Sequence, residues 1–319
     1  MLKRKALRKI IITTFSIITI LVICIIPDKI SNNNYLNPKI DTIYVDNNNT
    51  VSIYLLGPNN YLVKTNIVVN KEKITDKIKE IIDYLIVDKC SKVPNGLSGV
   101  ISKNTILNSV NIEDKIAVLD FSKDFLKTNS YLEERMIEAI IYSLIDLDGI
   151  EGISIKVEGN LLKELPISKQ KVPAVLNRNY GINKVYDINN INNIEKIVLY
   201  YINSIDNNNY YVPVTKYLND DREKIKIIID SLASNYIYES SLVSLLNSNT
   251  RLINYEIEDR KMILNFNDSI FSNNKLLEEV IYPISESVFE NYDVDSVLFQ
   301  VNGKNISSFE KCCGIKNIK

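Results

Sequence analysis

The chain of 319 residues contains no histidine and no tryptophan. Without imidazole it lacks the side chain best suited to proton transfer near neutral pH, and also the commonest metal ligand. Catalytic triads that turn on imidazole are excluded, while chemistry run by carboxylates alone stays open. Cysteine is scarce: Cys24, Cys90, Cys312 and Cys313 are the only four, and none lies in a CxxC spacing. That pattern holds neither a zinc site nor a disulfide framework, and an isolated Cys90 reads as a small core residue. A surplus of charge is missing too. With 38 basic and 39 acidic side chains the net charge is -1, so no strong field favours nucleic acid or an anionic membrane, and nucleic acid is set aside as a partner. Glycine numbers only nine. Gly96 and Gly99, and Gly149, Gly152 and Gly159, do not have the spacing of a phosphate loop. No cofactor, metal or catalytic residue is expected from these counts. What remains is an ordinary globular balance, 45% hydrophobic and 24% charged, over a length that suits two domains.

The N-terminus reads as an address. Lys3, Arg4, Lys5, Arg8 and Lys9 precede an uncharged run from Ile10 to Ile26. Seventeen residues lie at the short end of what crosses a bilayer, and Arg8 and Lys9 can extend the span by snorkelling. The basic end should stay in the cytoplasm and the rest should lie outside. Residues 1–26 are therefore expected to form a cytoplasmic stub and a single-pass transmembrane helix in the cell membrane. Ile25, Ile26 and Pro27 offer no small-residue cleavage site. Ile23 ahead of Cys24 fits a lipoprotein signal poorly, so lipid attachment at Cys24 and cleavage are left as the other routes. Residues 27–45, rich in Asn with Pro27 and Pro38, read as a tether.

Beyond the tether the sequence repeats itself. AVLDFSKDFL (Ala117 to Leu126) aligns without a gap with MILNFNDSIF (Met262 to Phe271). KIKEIIDYL (Lys77 to Leu85) parallels KIKIIIDSL (Lys224 to Leu232), SIYLL (Ser52 to Leu56) parallels VLYYI (Val198 to Ile202), and SIKVEGN (Ser154 to Asn160) parallels LFQVNGK (Leu298 to Lys304). Four blocks in one order imply a tandem duplication. Two copies are too few for a solenoid, so each should close its own core. Periodicity gives the elements. VSIYLL, a turn at Gly57-Pro58-Asn59-Asn60, and YLVKTNIVV form a hairpin. Ile78, Ile81, Ile82 and Leu85 form one helical stripe, matched by Ile225, Ile228, Ile229 and Leu232. Two short strands turn at Glu113-Asp114, and at Glu258-Asp259-Arg260 in the second copy; a second helix follows at about 132–146. A last strand, ISIKVEG, alternates buried and exposed positions. The fold class is α+β: two tandem copies of a small sheet-plus-two-helices domain, at 46–165 and 191–310, joined by a linker at 166–190 and followed by a tail at 311–319.

Asp120 and Asp124 are the candidates for paired-carboxylate chemistry. Their partners in the second copy are Asn265 and Ser269, of which Asn keeps an acceptor but cannot titrate. The shared features are an apolar strand face and a short polar acceptor at its end. That suits a turn in which Asp120 or Asn265 holds backbone N–H groups and Ser122 or Asn267 caps the next helical turn. Glu133-Glu134 and Glu278-Glu279 each open a helix, where acids favour the N-terminal dipole. The tyrosine pairs Tyr200-Tyr201 and Tyr210-Tyr211 read either as half-buried strand residues or as a face for sugar or protein contact.

The blocks YLLGPNNYLVKTNIVV, DKIKEIIDYLI, IAVLDFSKDFL and EGISIKVEGN resemble the GerMN domain of sporulation and spore-germination proteins. The DFSK-type turn after an apolar strand and the final strand's [VI]-[DEN]-G turn are its most recognisable features. The likeness covers 46–165 closely and 191–310 more loosely, since the second copy lacks DFSK. It implies a membrane-attached protein outside the cytoplasmic membrane of an endospore-forming bacterium, built like the ring-forming modules of secretion systems. Its partners would be protein components of an envelope or sporulation channel complex, and no catalytic residues are known for the family. The two-domain member best known is a lipoprotein, a mode of attachment that Ile23-Cys24 does not favour here. The expected function is non-enzymatic assembly. The alternatives are a cell-envelope glycan-binding module on the tyrosine pairs, or a wall hydrolase using Asp120 and Asp124. Oligomeric state is left open.

Overall fold

A computed structural model describes residues 50–205, 208–234 and 241–311, and the backbone of 314–317. The expected anchor at 1–26, the whole tether at 27–45, and Cys24, Cys312 and Cys313 lie outside the described residues. Among those described, no helix is long and apolar enough to cross a membrane.

The first copy opens with β1 (Thr50–Leu56) and β2 (Leu62–Val68), paired antiparallel. Helix α1 (Ile74–Leu85) follows, and its predicted stripe Ile78, Ile81, Ile82 and Leu85 is fully buried. Burying four such side chains contributes about 6–12 kcal/mol before entropy. Strands β3 (Leu107–Glu113) and β4 (Ile116–Phe121) meet at a two-residue turn. Both of its residues, Asp114 and Lys115, have left-handed φ, as a type I′ hairpin requires. Helix α2 (Glu133–Leu144) then crosses over to β5 (Gly152–Val157), which pairs parallel with β4, and β6 (Asn160–Leu161) closes the sheet.

The second copy follows the same order. β8 (Ile194–Ile205) and β9 (Asn208–Asn219) form its hairpin; α3 (Lys224–Ala233) buries Ile225, Ile228, Ile229 and Leu232. β10 (Leu252–Glu258) and β11 (Lys261–Phe266) repeat the type I′ turn, with Asp259 and Arg260 left-handed. Helix α4 (Glu278–Asn291) leads to β12 (Ser296–Val301), parallel to β11, then β13 (Lys304–Glu310) and β14 (Gly314–Asn317). The expected tail thus adds a strand to this sheet.

One expectation fails. The two copies do not close separate cores around separate sheets. Each copy keeps its own sheet of later strands, β3 to β6 and β10 to β14, but the two opening hairpins join in one five-stranded sheet through β2 and β9. Buried side chains of both copies form one contiguous cluster that includes Leu165, Val172, Leu176 and Ile182 of the connecting segment. That segment is not slack: β7 (Val185–Asp187) pairs parallel with β9. The physical reason is an edge left open by each hairpin. Strand β9 is long enough for β2 to take one end of its free edge, at Lys64–Tyr211, and β7 the other.

The opposite edges are covered by helices in the same way in both copies. Ser143 Oγ of α2 accepts from Tyr54 N of β1 at 2.9 Å, and Ser287 Oγ of α4 accepts from Tyr200 N of β8 at 2.9 Å. Asn291 adds bonds to Val198 N and O. A helix side chain thus answers a backbone donor that would otherwise stay open on a sheet edge.

Candidate functional site

Two places concentrate polar chemistry: the turns that carry the recognisable motifs, and the joint between the copies.

At the first, the two motifs hold each other. Asp120 Oδ1, at the end of β4, accepts from Gly159 N at 2.8 Å. Gly159 has φ +77°, and Glu158 before it is also left-handed, so this is the tight turn between β5 and β6. Glu158 Oε1 in turn accepts from Lys123 N at 2.8 Å. The second copy repeats the first bond: Asn265 Oδ1 accepts from Gly303 N at 2.9 Å, again at a left-handed glycine. A carboxylate in one copy and an amide in the other carry out the same task, which needs an acceptor and no titration. Asp124 faces a different partner, Lys127 Nζ at 2.6 Å. The two aspartates therefore do not act on one group. Ser122 and Asn267 stand where caps were expected, but make no capping bond to the following short helix. They reach back instead: Ser122 Oγ accepts from Ile106 N at 3.0 Å and Asn267 Oδ1 from Arg251 N at 2.9 Å.

At the joint, the connector is gripped by acids of α2. Glu133, fully buried, accepts from Ile167 N and Ser168 N at 2.5 and 2.8 Å. Glu134 accepts from Lys184 Nζ at 2.6 Å and Gln170 Nε2 at 3.1 Å. Burial alone would raise the Glu134 pKa, yet the Lys184 ammonium holds it below the usual carboxylate value. Glu138 Oε2 accepts from Arg135 and from Asn183 N, but burial pushes its pKa up against those partners. The acids expected merely to face the helix dipole thus clamp the connector onto the first copy.

Asn183 lies at the centre. It is fully buried with φ +48°. Its Oδ1 accepts from Leu62 N at 2.9 Å, and its Nδ2 donates to Leu62 O and Pro213 O, each at 2.8 Å. Pro213 has no N–H to offer a neighbouring strand, so a side-chain amide from the connector completes the seam between β2 and β9. Nothing in the run GINKVY marks this residue for the role. The only local signal is an Asn, a residue that tolerates the left-handed region.

Beside the seam lies a cleft of about 270 Å³. Lys64 of β2 pairs with Glu286 of α4 at 2.7 Å. Arg178 of the connector pairs with Asp146 at 2.5 Å and also with Glu290 of α4. Its guanidinium lies 4.9 Å over the Tyr142 ring. Burial works against the Lys64 charge, but the Glu286 carboxylate outweighs it and holds the ammonium well above its ordinary pKa. Burial raises Glu290, opposed by Arg178. The tyrosines around this joint are internal. Tyr200, Tyr201 and Tyr211 are buried, and Tyr211 stacks on Tyr282 with centroids 3.9 Å apart. Tyr200, Tyr201 and Tyr211 therefore offer no open face to a sugar, while Tyr210 is half-buried against the core. Cys90 is half-buried against the core and free.

The repeat of elements has its counterpart in a comparison with known families. A family model described as "Germane: Sporulation and spore germination" matches residues 52–163 and again 198–307. The chain belongs to this family. It is 29% identical over 263 residues to the "Spore germination protein GerM" of Bacillus subtilis (strain 168), covering 79% of this chain and 71% of that protein. The solved structure titled "Tandem GerMN domains of the sporulation protein GerM from Bacillus subtilis" superposes with a TM-score of 0.73 at 28% identity, covering 80% of this chain and 91% of that one. In this tandem GerMN protein Asp120 and Asn265 sit at the turns where each clasps strand to strand.

Proposed function

We propose that this GerMN protein is a membrane-anchored, non-enzymatic assembly component of the sporulation or germination machinery. It would be held at the cell membrane by residues 1–26, with both copies outside the cytoplasm. Its partners would be protein components of an envelope complex. The observation that carries the reading is the shared clasp. The candidate acid Asp120 and its twin Asn265 make the same bond to the same turn glycine, so the motif conserves an acceptor between copies and not an acid. Family membership supports the sporulation setting, and the basic, apolar N-terminus supports the anchor.

The test is substitution in an endospore-forming host. Asp120→Asn should leave sporulation and germination at the level of the unchanged gene, whereas deletion should impair one of them. Loss of function in Asp120→Asn with the protein still folded would favour the hydrolase reading instead. Crosslinking and affinity purification from sporulating cells should then recover envelope proteins. Recovery of wall fragments cleaved by the purified chain would overturn the assembly role.

A further inference from the structure

We propose that a second cleft, between the first copy's β1–β2 turn, the connector and Ser241 of the second copy, is a binding site for a short stretch of neutral glycan. The cleft has a volume of about 750 Å³, within the range of small-molecule sites. Asn59 and Asn60 of the β1–β2 turn, Tyr61, Tyr131, Arg135 of α2 and Ser241 line it.

The lining chemistry selects the ligand. The floor cancels its own charge: Arg135 pairs with Glu138 at 2.7 Å, and Lys184, almost fully buried, pairs with Glu134 at 2.6 Å and lies 3.7 Å from Glu138. An anion entering would have to compete with carboxylates already in place, so the field does not favour one. The wall is polar and uncharged. The Asn60 amide and the Tyr61 hydroxyl have no protein partner among the described residues, and Asn59 is tied to the Ser241 hydroxyl. Side-chain amides and hydroxyls each offer both donor and acceptor, which is what vicinal sugar hydroxyls require. At the rim Tyr131 is 59% exposed, a ring free to lie on the apolar face of a sugar. A peptide would seek apolar pockets, and beyond the two tyrosine rings the lining offers only Pro58 and Val185 as apolar contacts.

The site is not part of the shared scaffold. β8 and β9 are joined by two residues, against the five between β1 and β2, so the second copy has no Gly-Pro-Asn-Asn turn. Equating Ser143 with Ser287 places Glu279 where α2 has Arg135. Features held in common keep the fold, and this one is built around the first copy's turn and α2, with the connector and Ser241 of the second copy at its sides. It also stands clear of the buried tyrosine pairs.

The full-length protein, purified in detergent, is titrated with a short neutral N-acetylglucosamine oligomer. Tyrosine fluorescence serves as the signal, since no tryptophan masks it. Saturable binding is expected. Tyr131→Ala should weaken it about tenfold, the value of one aromatic contact. Asn60→Gly should weaken it as well while keeping the fold, because Asn60 sits at φ +60°, where glycine is at ease. Binding of an acidic oligosaccharide alone, binding indifferent to both substitutions, or no binding of the neutral oligomer would each overturn the proposal.

Discussion

At the scale of single residues, position 183 carries more than its type suggests. Asn183 answers three backbone groups of two strands from inside the protein. Asn183→Ala leaves those groups buried and unanswered and puts a Cβ-only residue at positive φ. Each orphaned group costs about 1–3 kcal/mol, so urea unfolding should show a loss of about 3 kcal/mol or more. Asn183→Asp keeps the acceptor for Leu62 N but sets a buried, unpaired carboxylate against Leu62 O and Pro213 O, and should cost at least as much. A loss below about 1 kcal/mol for the alanine variant would mean that the seam does not depend on this amide. The sequence did not disclose it, because an Asn in a connector looks like any turn residue; only the approach of β2 and β9 from far along the chain gives it partners. Asp120, by contrast, was legible, since its replacement by Asn265 within the same chain separates acceptor from acid.

At the scale of elements, the repeat was the strongest signal. The stripes of α1 and α3, the turns between the paired short strands, and the helix and final strand that follow all show in the apolar period and turn residues that recur in each copy; the parallel pairing of that final strand did not. What could not be read was the pairing of hairpin with hairpin. A strand's free edge has no local sequence mark, because backbone N–H and C=O groups are the same whatever the side chain. The serines that cover the outer edges were hidden for a similar reason: a mid-helix Ser on a largely buried face reads as a small core residue. Ser143→Ala and Ser287→Ala should each leave one strand N–H unanswered, at a cost of about 1–2 kcal/mol apiece. Their effects should add in the double variant, as expected for separate sites. Denaturant midpoints of the two singles and the double check both points.

At the scale of the whole molecule, the joint makes two copies behave as one body. Lys64 and Glu286 come from different copies and are both largely shielded from water. Removing one partner, as in Glu286→Leu, strands a charge and should cost about 3–5 kcal/mol, whereas Lys64→Met together with Glu286→Leu should recover most of that loss. The pair also sets a pH response. Lys64 binds its proton more tightly folded than unfolded, so its contribution is complete below the ordinary lysine value of 10.5 and is lost only as pH climbs through the higher folded value. Melting temperature at the joint should therefore be insensitive to pH across the neutral range where Lys64 is concerned, and fall in strongly alkaline buffer. In Lys64→Met that alkaline fall should be smaller.

The most direct measurement is urea unfolding of the chain followed by residue-resolved hydrogen exchange, with and without Asn183→Ala. If connector, seam and ion pairs fuse the copies, α1 and α3 lose protection in a single shared transition, and the substitution lowers its midpoint for both together. Two transitions, one per copy, with the substitution moving neither or only one, would contradict the fused joint.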